Sequence, residues 1–351
     1  MRKLGNIVIL SIVLIMLGFY TSRLFLPSFP GKLILTGSHQ GVIRLDLSTK
    51  QVTQISVYNF GVWNPGLGKL IVYEDLRTVK EGYGFLRNYY LVSPETGEHQ
   101  LLIGEAEDVV LSPDALKLAY VKFHPDMDED VADQQLFLLD LATGRKVMLS
   151  QRPHIYLIAW SPNSQFLLYN EDWKRSYVHD ANSAKSIEMQ LPVFMATVRP
   201  DTVWTPKNTI VYPDDHLSAA SQLYTIAPVA KATPQMLIPN FKTDMLNEAP
   251  NWSHKGDRAA ILRDFDSPDY KSEWQNLYVW DESQQKLETL FEGETNLQVL
   301  GNLAWSPDDK YLVYFKEWED TGACIDIIEV ATKHKVECIY NRAWTDILWI
   351  E

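Results

Sequence analysis

The chain has 351 residues, of which 46% are hydrophobic, so it is long enough to bury a large core. It carries 32 Lys and Arg against 45 Asp and Glu, a formal net charge of −13, which argues against a nucleic-acid-binding protein because such a protein needs a basic face. The excess of acids instead favours cations or basic proteins as partners, and the 11 Trp and 17 Tyr are typical of a β-rich fold.

The first predicted element is a membrane segment. Arg2 and Lys3 precede an uncharged, mostly apolar stretch, residues 4–20, whose length is the lower limit for a membrane span. No small-residue cleavage site follows, which favours an uncleaved signal-anchor over residues 1–23, with cleavage and secretion as the alternative. Because positive charge stays in the cytoplasm, we expect the remainder outside the cytoplasmic membrane: a short linker, residues 24–29, and one domain, residues 30–351.

A two-part repeat runs through this body. Its first line is an apolar strand ending in Trp, a Ser-Pro turn with Lys, and a strand ending in Tyr, as in LAWSPDDKYLVYF (303–315) and IAWSPNSQFLLYN (158–170). The Trp slot falls at positions 63, 111, 160, 204, 252 and 305, with Leu at 111. The second line is two strands joined by a polar turn, as in LFLLDLATGRKVMLS (136–150), and it occurs once more often than the first.

Each unit therefore holds four short strands, which we term A to D. A single four-stranded sheet cannot bury both of its faces, but sheets stacked around an axis can. The repeat thus predicts an all-β, seven-bladed β-propeller, in preference to six or eight blades. A β-sandwich whose turns resemble one another by chance is the alternative, and the copies in register disfavour it.

The line W-S-P-D-x-K-x-L-x-Y, followed by D-L-x-T-G, resembles the repeat of the TolB-like propellers, which are relatives of WD-repeat blades. The resemblance covers residues 30–351 and implies the fold, while it implies almost nothing about function. The α/β domain that precedes the propeller of TolB has no counterpart in residues 1–30. The resemblance is therefore to the repeat and not to TolB itself.

The unequal number of copies predicts how the ring closes. In DILWIE (346–351), Trp349 follows Glu329 at the spacing that separates Trp160 from Asp140. This segment is therefore predicted as a strand A whose strand B is FPGKLILTG (29–37). We expect residues 345–350 to pair with residues 32–37, because closure removes the open edges of the ring.

Propeller connectivity sorts the connections onto two faces. We call the side with the A–B and C–D turns the turn face, and the side with the B–C loops and D–A connections the loop face. The turn face collects lysines and is expected nearest the bilayer, because the membrane segment enters there. The loop face is expected to be an acidic contact surface for a basic protein patch, with a merely solvated surface as the alternative. Its candidate contact residues are Glu74, Asp75, Asp126, Asp128, Glu129, Asp130, Asp133, Glu171, Asp172, Trp173, Asp264, Asp266, Asp269, Trp274, Glu317, Trp318, Glu319 and Asp320.

No catalytic motif is found, neither H-E-x-x-H nor G-x-S-x-G. The alternating acids of DMDED are calcium candidates: Asp126, Asp128 and Asp130. They do not form an EF-hand, because Val131 and Phe137 stand where that loop needs Gly and Glu. Cys324 and Cys338 are expected on neighbouring strands of the last blade. They would form either a disulfide bond or two buried thiols.

The sequence therefore predicts a membrane-anchored, single-pass, extracytoplasmic propeller. We expect it to act without a cofactor as a non-catalytic protein-binding or scaffolding module of an envelope or membrane complex. The alternative is a hydrolase or lyase that acts on polysaccharide or peptide through acidic residues at the central channel.

Overall fold

The computed structural model describes residues 29–37, 41–78, 85–123, 134–172, 175–191, 204–213, 222–239, 250–266, 273–292, 303–318, 322–341 and 346–351. These residues form only strands and turns, arranged as seven antiparallel sheets, so the all-β, seven-bladed propeller is confirmed. Within the described ranges no helix is long and apolar enough to cross a membrane. The predicted membrane segment, residues 4–20, lies outside them.

Strands are given from the channel outwards. Blade 1 contains β27 (Asp346–Ile350), β1 (Lys32–Gly37), β2 (Gly41–Asp46) and β3 (Val52–Ser56). Blade 2 contains β4 (Asn59–Asn64), β5 (Lys69–Thr78), β6 (Phe85–Val92) and β7 (His99–Ala106). Blade 3 contains β8 (Asp108–Leu111), β9 (Lys117–Phe123), β10 (Gln134–Asp140) and β11 (Lys146–Arg152). Blade 4 contains β12 (Ile155–Trp160), β13 (Phe166–Glu171), β14 (Arg175–Asp180) and β15 (Lys185–Met189).

Blade 5 contains β16 (Ile210–Pro213), β17 (Leu223–Ile226) and β18 (Gln235–Met236), and an isolated bridge from Trp204 to Ile210 stands in the place of its inner strand. Blade 6 contains β19 (Asn251–Trp252), β20 (Arg258–Asp266), β21 (Glu273–Asp281) and β22 (Lys286–Phe291). Blade 7 contains β23 (Ala304–Trp305), β24 (Tyr311–Trp318), β25 (Gly322–Glu329) and β26 (Lys335–Asn341).

The hydrophobic core lies between the blades. One cluster of buried side chains fills each junction between neighbouring sheets, from blades 1 and 2 round to blades 7 and 1. The junction of blades 7 and 1 includes Leu33, Phe315 and Trp349, all of them buried. Each sheet thus buries both of its faces against two neighbours, which is the physical reason that the repeat must form a ring.

The ring closes by the predicted pairing of the last strand with the first. β27 pairs antiparallel with β1, and Lys32 opposes Ile350 while Thr36 opposes Asp346. Gly31 has a φ of +86°, and a Cβ there would lie 2.3 Å from the carbonyl oxygen of Ile350. Only glycine therefore allows the first strand to approach the last one this closely.

The Trp of the repeat links neighbouring blades. Nε1 of Trp160 donates to the carbonyl of Val110 in the inner strand of blade 3, at 3.0 Å. Nε1 of Trp305 donates in the same way to the carbonyl of Asn251 in blade 6, at 2.9 Å. Since each indole is also buried, the Trp slot combines apolar packing with a hydrogen bond across the blade junction.

The Ser-Pro-Asp turn of the repeat is a hydrogen-bonded unit on the turn face. In blade 7, Ser306 Oγ donates to Asp308 at 2.8 Å and accepts from the N–H of Tyr311 at 2.9 Å. Asp309, which is 1% exposed, then reaches blade 6 and accepts from the N–H of His254 at 2.7 Å. The turns therefore hold the blades to one another as well as connecting strands A and B.

Candidate functional site at the loop face of blades 2 to 4

A tight connection brings two acids to the inner end of blade 3. Glu107 is the single residue between β7 and β8, and Asp108 opens the inner strand β8. Inner strands line the central channel of a propeller, so both acids lie where the loop face meets the channel. Both residues are half-buried.

Glu107 links three blades, two of them through its own hydrogen bonds and the third through Gln134. The side-chain amide of Gln134 donates Nε2–H to the Glu107 carboxyl group, and its oxygen accepts from the N–H of Ile155 in blade 4. On the opposite side, the hydroxyl of Tyr89 donates to the Glu107 carbonyl at 2.8 Å, and Arg87 Nη1 donates to the same oxygen at 3.2 Å. Blades 2, 3 and 4 are therefore connected at this one residue.

Asp108 connects the inner strands of blades 3 and 4. Its carboxylate accepts from the N–H of Val109 at 2.9 Å and from the N–H of Leu157 in β12. Burial raises the pKa of Asp108 to about 6. Burial, and then the neighbouring charge of Asp108, raises the pKa of Glu107 to about 8. At pH 7, therefore, Glu107 is mostly protonated and Asp108 is mostly ionised.

The rim of blade 2 carries two of the predicted contact acids, Glu74 and Asp75. Arg87 Nε lies 2.8 Å from Asp75 Oδ1, and its guanidinium carbon lies 4.6 Å from the ring centre of Tyr73. The hydroxyl of Tyr90 donates to Glu74 at 3.1 Å. Both acids are thus hydrogen-bonded within their own blade.

The rim of blade 4 repeats this arrangement. Glu171 is buried, accepts from the hydroxyl of Ser150, and lies 3.5 Å from Arg152 Nε and 3.8 Å from Arg175 Nη2. Arg175 Nη2 also lies 2.9 Å from the carboxylate of Asp172. The side chain of Arg152 is 50% exposed and that of Arg175 is 37% exposed, so the cations face solvent while Glu171 lies beneath them.

The sector of blades 2 to 4 is therefore mixed in charge. We call it the arginine sector, after Arg87, Arg152 and Arg175, whose guanidinium groups are positioned by carboxylates. Tyrosines stand among them, including Tyr156, whose pKa is raised to about 12 by burial and by Glu107. Arginine and tyrosine are the residue types enriched at the energetic centres of protein interfaces.

Comparison with solved structures identifies the fold. The chain is similar to TolB from Acinetobacter baumannii, at 14% identity and a TM-score of 0.46 over 90% of this chain and 81% of that chain. It is similar to the oligogalacturonate lyase of Vibrio parahaemolyticus at 12% identity and a TM-score of 0.54, over 88% of this chain and 93% of that chain. A second oligogalacturonate lyase, in complex with manganese, is 15% identical, with a TM-score of 0.54 over 78% of this chain and 79% of that chain.

At the level of the fold, the chain is a seven-bladed β-propeller. No protein-family model and no curated protein matches it. Identities this low show the fold alone. The function of this propeller must therefore be argued from its own residues.

The described side chains include only part of the predicted contact surface. Glu74, Asp75, Glu171 and Asp172 have described side chains, and all four lie in the arginine sector. The backbone of five further candidates lies in β20, β21 and β24, while their side chains are outside the described part: Asp264, Asp266, Trp274, Glu317 and Trp318. The remaining candidates lie outside the described residues: Asp126, Asp128, Glu129, Asp130, Asp133, Trp173, Asp269, Glu319 and Asp320.

Sequence reasoning missed Glu107 and Asp108. It considered the acids of the B–C loops, whereas these two belong to the D–A connection of the same face. The available signal was the pair of consecutive acids at the start of strand A in EAEDVVLSP (105–113). Such a pair places two carboxyl groups at the mouth of the channel.

Among the described residues, no group of three His, Cys, Asp or Glu side chains is arranged to hold a metal ion, and the calcium candidates in 126–130 lie outside them. Cys324 and Cys338 form a disulfide bond between β25 and β26. Their role in this propeller is structural, since the bond joins the two outer strands of blade 7.

Proposed function

We propose that this protein is a membrane-anchored, extracytoplasmic propeller that binds a protein partner through its loop face and catalyses no reaction. The observation that carries the proposal is the arginine sector. Its two exposed cations, Arg152 and Arg175, are already held by carboxylates, so they lose less side-chain freedom when a partner binds. Tyrosines beside them add amphipathic contact area.

The membrane part of the proposal is supported by the position of the N-terminal segment. Residues 4–20 are apolar and uncharged, and the described chain starts at Phe29, next to Gly31 and the closing strands on the turn face. A tether that enters at the turn face leaves the loop face directed away from the bilayer. A partner in the envelope would then approach the loop face from the side away from the bilayer.

Charge reversal on the full-length chain tests the proposal. The double variant Arg152→Glu, Arg175→Glu should lose its co-purifying protein when the chain is isolated from membranes in mild detergent. The control variant Lys185→Glu, Lys231→Glu has the same change of charge on exposed turns of the opposite face and should retain the partner. Equal recovery of bound proteins with both variants would contradict the proposal.

A second candidate function rests on Glu107 and Asp108. A protonated and an ionised carboxyl group next to each other at the channel mouth are the ingredients of acid–base catalysis on polysaccharide or peptide. Oligogalacturonate and peptide mixtures are the probes, because oligogalacturonate lyases share the fold. Turnover by the full chain that is lost in Glu107→Gln would favour this function over the binding function, and the absence of turnover would leave the binding function.

A further inference from the structure

Three exposed leucines lie on neighbouring turns of the turn face, in blades 2 and 3. Leu67, Leu116 and Leu141 are 41%, 52% and 38% exposed. The N–H of Leu141 donates to the carbonyl of Leu116 at 2.9 Å, so these two are in direct contact. The turn that carries Leu67 is joined to the same region, because Asn64 Nδ2 donates to the carbonyl of Ser112 at 2.9 Å.

The fold itself does not require these apolar tips. The residue at the position of Leu116 is polar in the equivalent turns of blades 4 to 7: Gln165, Thr209, Asp257 and Lys310. At the position of Leu141, blade 1 has Leu47 and blade 7 has Val330, and both of those side chains are buried. Blade 3 thus differs from these copies. Leu67 of blade 2 stands one residue earlier in its turn, where blades 4 to 7 have Ser164, Asn208, Gly256 and Asp309.

Basic residues surround the leucines. Lys69 and Lys117 begin the strands that follow the A–B turns, and Arg145 and Lys146 follow the C–D turn of blade 3. In the described part of the chain none of the four lies within 4 Å of a carboxylate, and Lys117 is attracted at longer range by Asp114 and Asp140. Three other lysines of the turn face do have a carboxylate partner: Lys207 with Glu282, Lys310 with Asp308, and Lys333 with Glu288.

We propose that this leucine patch, Leu67, Leu116 and Leu141 with their four basic neighbours, docks on the surface of an anionic lipid bilayer. Apolar tips that enter the headgroup region, with cations around them, are the combination that peripheral membrane contacts use. The proposal goes beyond the partner-binding function and rests on the membrane attachment proposed above. It assigns a second surface, on the opposite face from the arginine sector.

The proposed membrane anchor would hold a bilayer next to the leucine patch. Residues 21–28 span at most about 29 Å when fully extended, so a membrane-inserted segment at 4–20 keeps the turn face close to the lipid. A tethered surface experiences a high effective concentration of its ligand, and weak contacts then suffice. A protein partner at the same patch would have to displace this nearby membrane.

Hydroxyl-radical footprinting of the full-length chain in nanodiscs tests the docking. The nanodiscs contain equal amounts of phosphatidylglycerol and phosphatidylcholine, or phosphatidylcholine alone. We expect slower modification of Leu67, Leu116 and Leu141 in the anionic discs than in the neutral ones. The triple variant Leu67→Gln, Leu116→Gln, Leu141→Gln should lose the protection of neighbouring turn residues. The matched variant Val52→Gln, Val57→Gln, Leu101→Gln changes exposed apolar residues of β3, of the connection after β3, and of β7, and it should keep the protection.

The outcomes separate the two proposals. A chain that fails to co-purify with either type of nanodisc contradicts both the membrane attachment and the docking. A chain that co-purifies while its three leucines are modified equally fast in both lipid mixtures contradicts the docking alone. Protection that is stronger in the arginine sector than in the leucine patch also contradicts the docking, since it would place the loop face against the membrane.

Discussion

Replacing Trp349 by Ala tests the closure of the ring. The indole is 2% exposed, and its Nε1 donates to the carbonyl of Pro30 at 2.9 Å. Its ring centre lies 6.2 Å from that of Tyr311 and 6.4 Å from that of Phe29. Truncating a buried Trp costs roughly 3–5 kcal/mol, and each aromatic pair contributes roughly 0.5–1.5 kcal/mol within such losses. We therefore expect the free energy of unfolding to fall by about 4 kcal/mol.

Urea unfolding followed by circular dichroism measures this loss as a lower midpoint at an unchanged slope. Trp349→Phe keeps an aromatic ring and removes the donor, so it should lose roughly 1–2 kcal/mol. Val57→Ala is the surface control, because Val57 is 78% exposed and its truncation should change stability by less than about 0.5 kcal/mol. If Trp349→Ala proves no more destabilising than Val57→Ala, the C-terminal strand does not hold the ring closed.

Three further predictions concern stability. The pKa of Glu107 is about 8 in the folded chain and 4.5 in an unfolded chain. The free energy of unfolding, compared with that of Glu107→Gln, should therefore fall as the pH rises from 4.5 to 8. A difference in urea midpoint that stays constant over this range would refute the prediction. Asp309→Ala should lower the free energy of unfolding by roughly 2–3 kcal/mol, because it leaves two backbone N–H groups of blade 6 without an acceptor. The control Asp308→Ala should lower it by under about 1 kcal/mol. Equal urea midpoints of the two variants would argue against the link between blades. Reducing the Cys324–Cys338 bond should lower the free energy of unfolding by about 3 kcal/mol, and an unchanged melting curve would count against it.

The fold could be predicted from the sequence because the copies of the repeat can be aligned with one another. The Trp slots give the blades, and the spacing from Glu329 to Trp349 gives the strand that pairs with residues 32–36. This pairing spans almost the whole chain, yet it needed no contact information. The first line of the repeat has one copy fewer than the second line. The two numbers agree only if the C-terminal and N-terminal segments together form the missing copy.

The site could be predicted only in part, because the number of charged residues on a face does not show which of them are paired. The lysines of the turn face suggested a basic surface, but carboxylates of the C–D turns lie on the same side. Asp46, for example, accepts hydrogen bonds from the hydroxyl and N–H of Ser48 and from the N–H of Thr49, which lower its pKa to about 2 and keep it charged. The turn face therefore carries acids as well as lysines.

The arginine sector was hidden for a different reason. Asp75 and Glu171 were expected to be exposed acids, and the sequence gives no sign that Arg87 and Arg175 lie across the B–C loops from them. These pairs depend on the register of neighbouring strands B and C. Glu107 was harder still, because its partners Tyr89 and Gln134 lie in different blades, 18 and 27 residues away, and Gln134 in turn bonds to blade 4.

Photo-cross-linking tests the central claim, that the loop face contacts a protein partner. A benzoyl-phenylalanine in place of Leu76, which is 43% exposed at the loop-face end of β5, should form a cross-linked adduct with another protein in intact membranes. The same reagent in place of Leu101, which is 56% exposed on the outer strand of the same blade, should form none. Adducts from position 101 in the absence of adducts from position 76 would contradict the account.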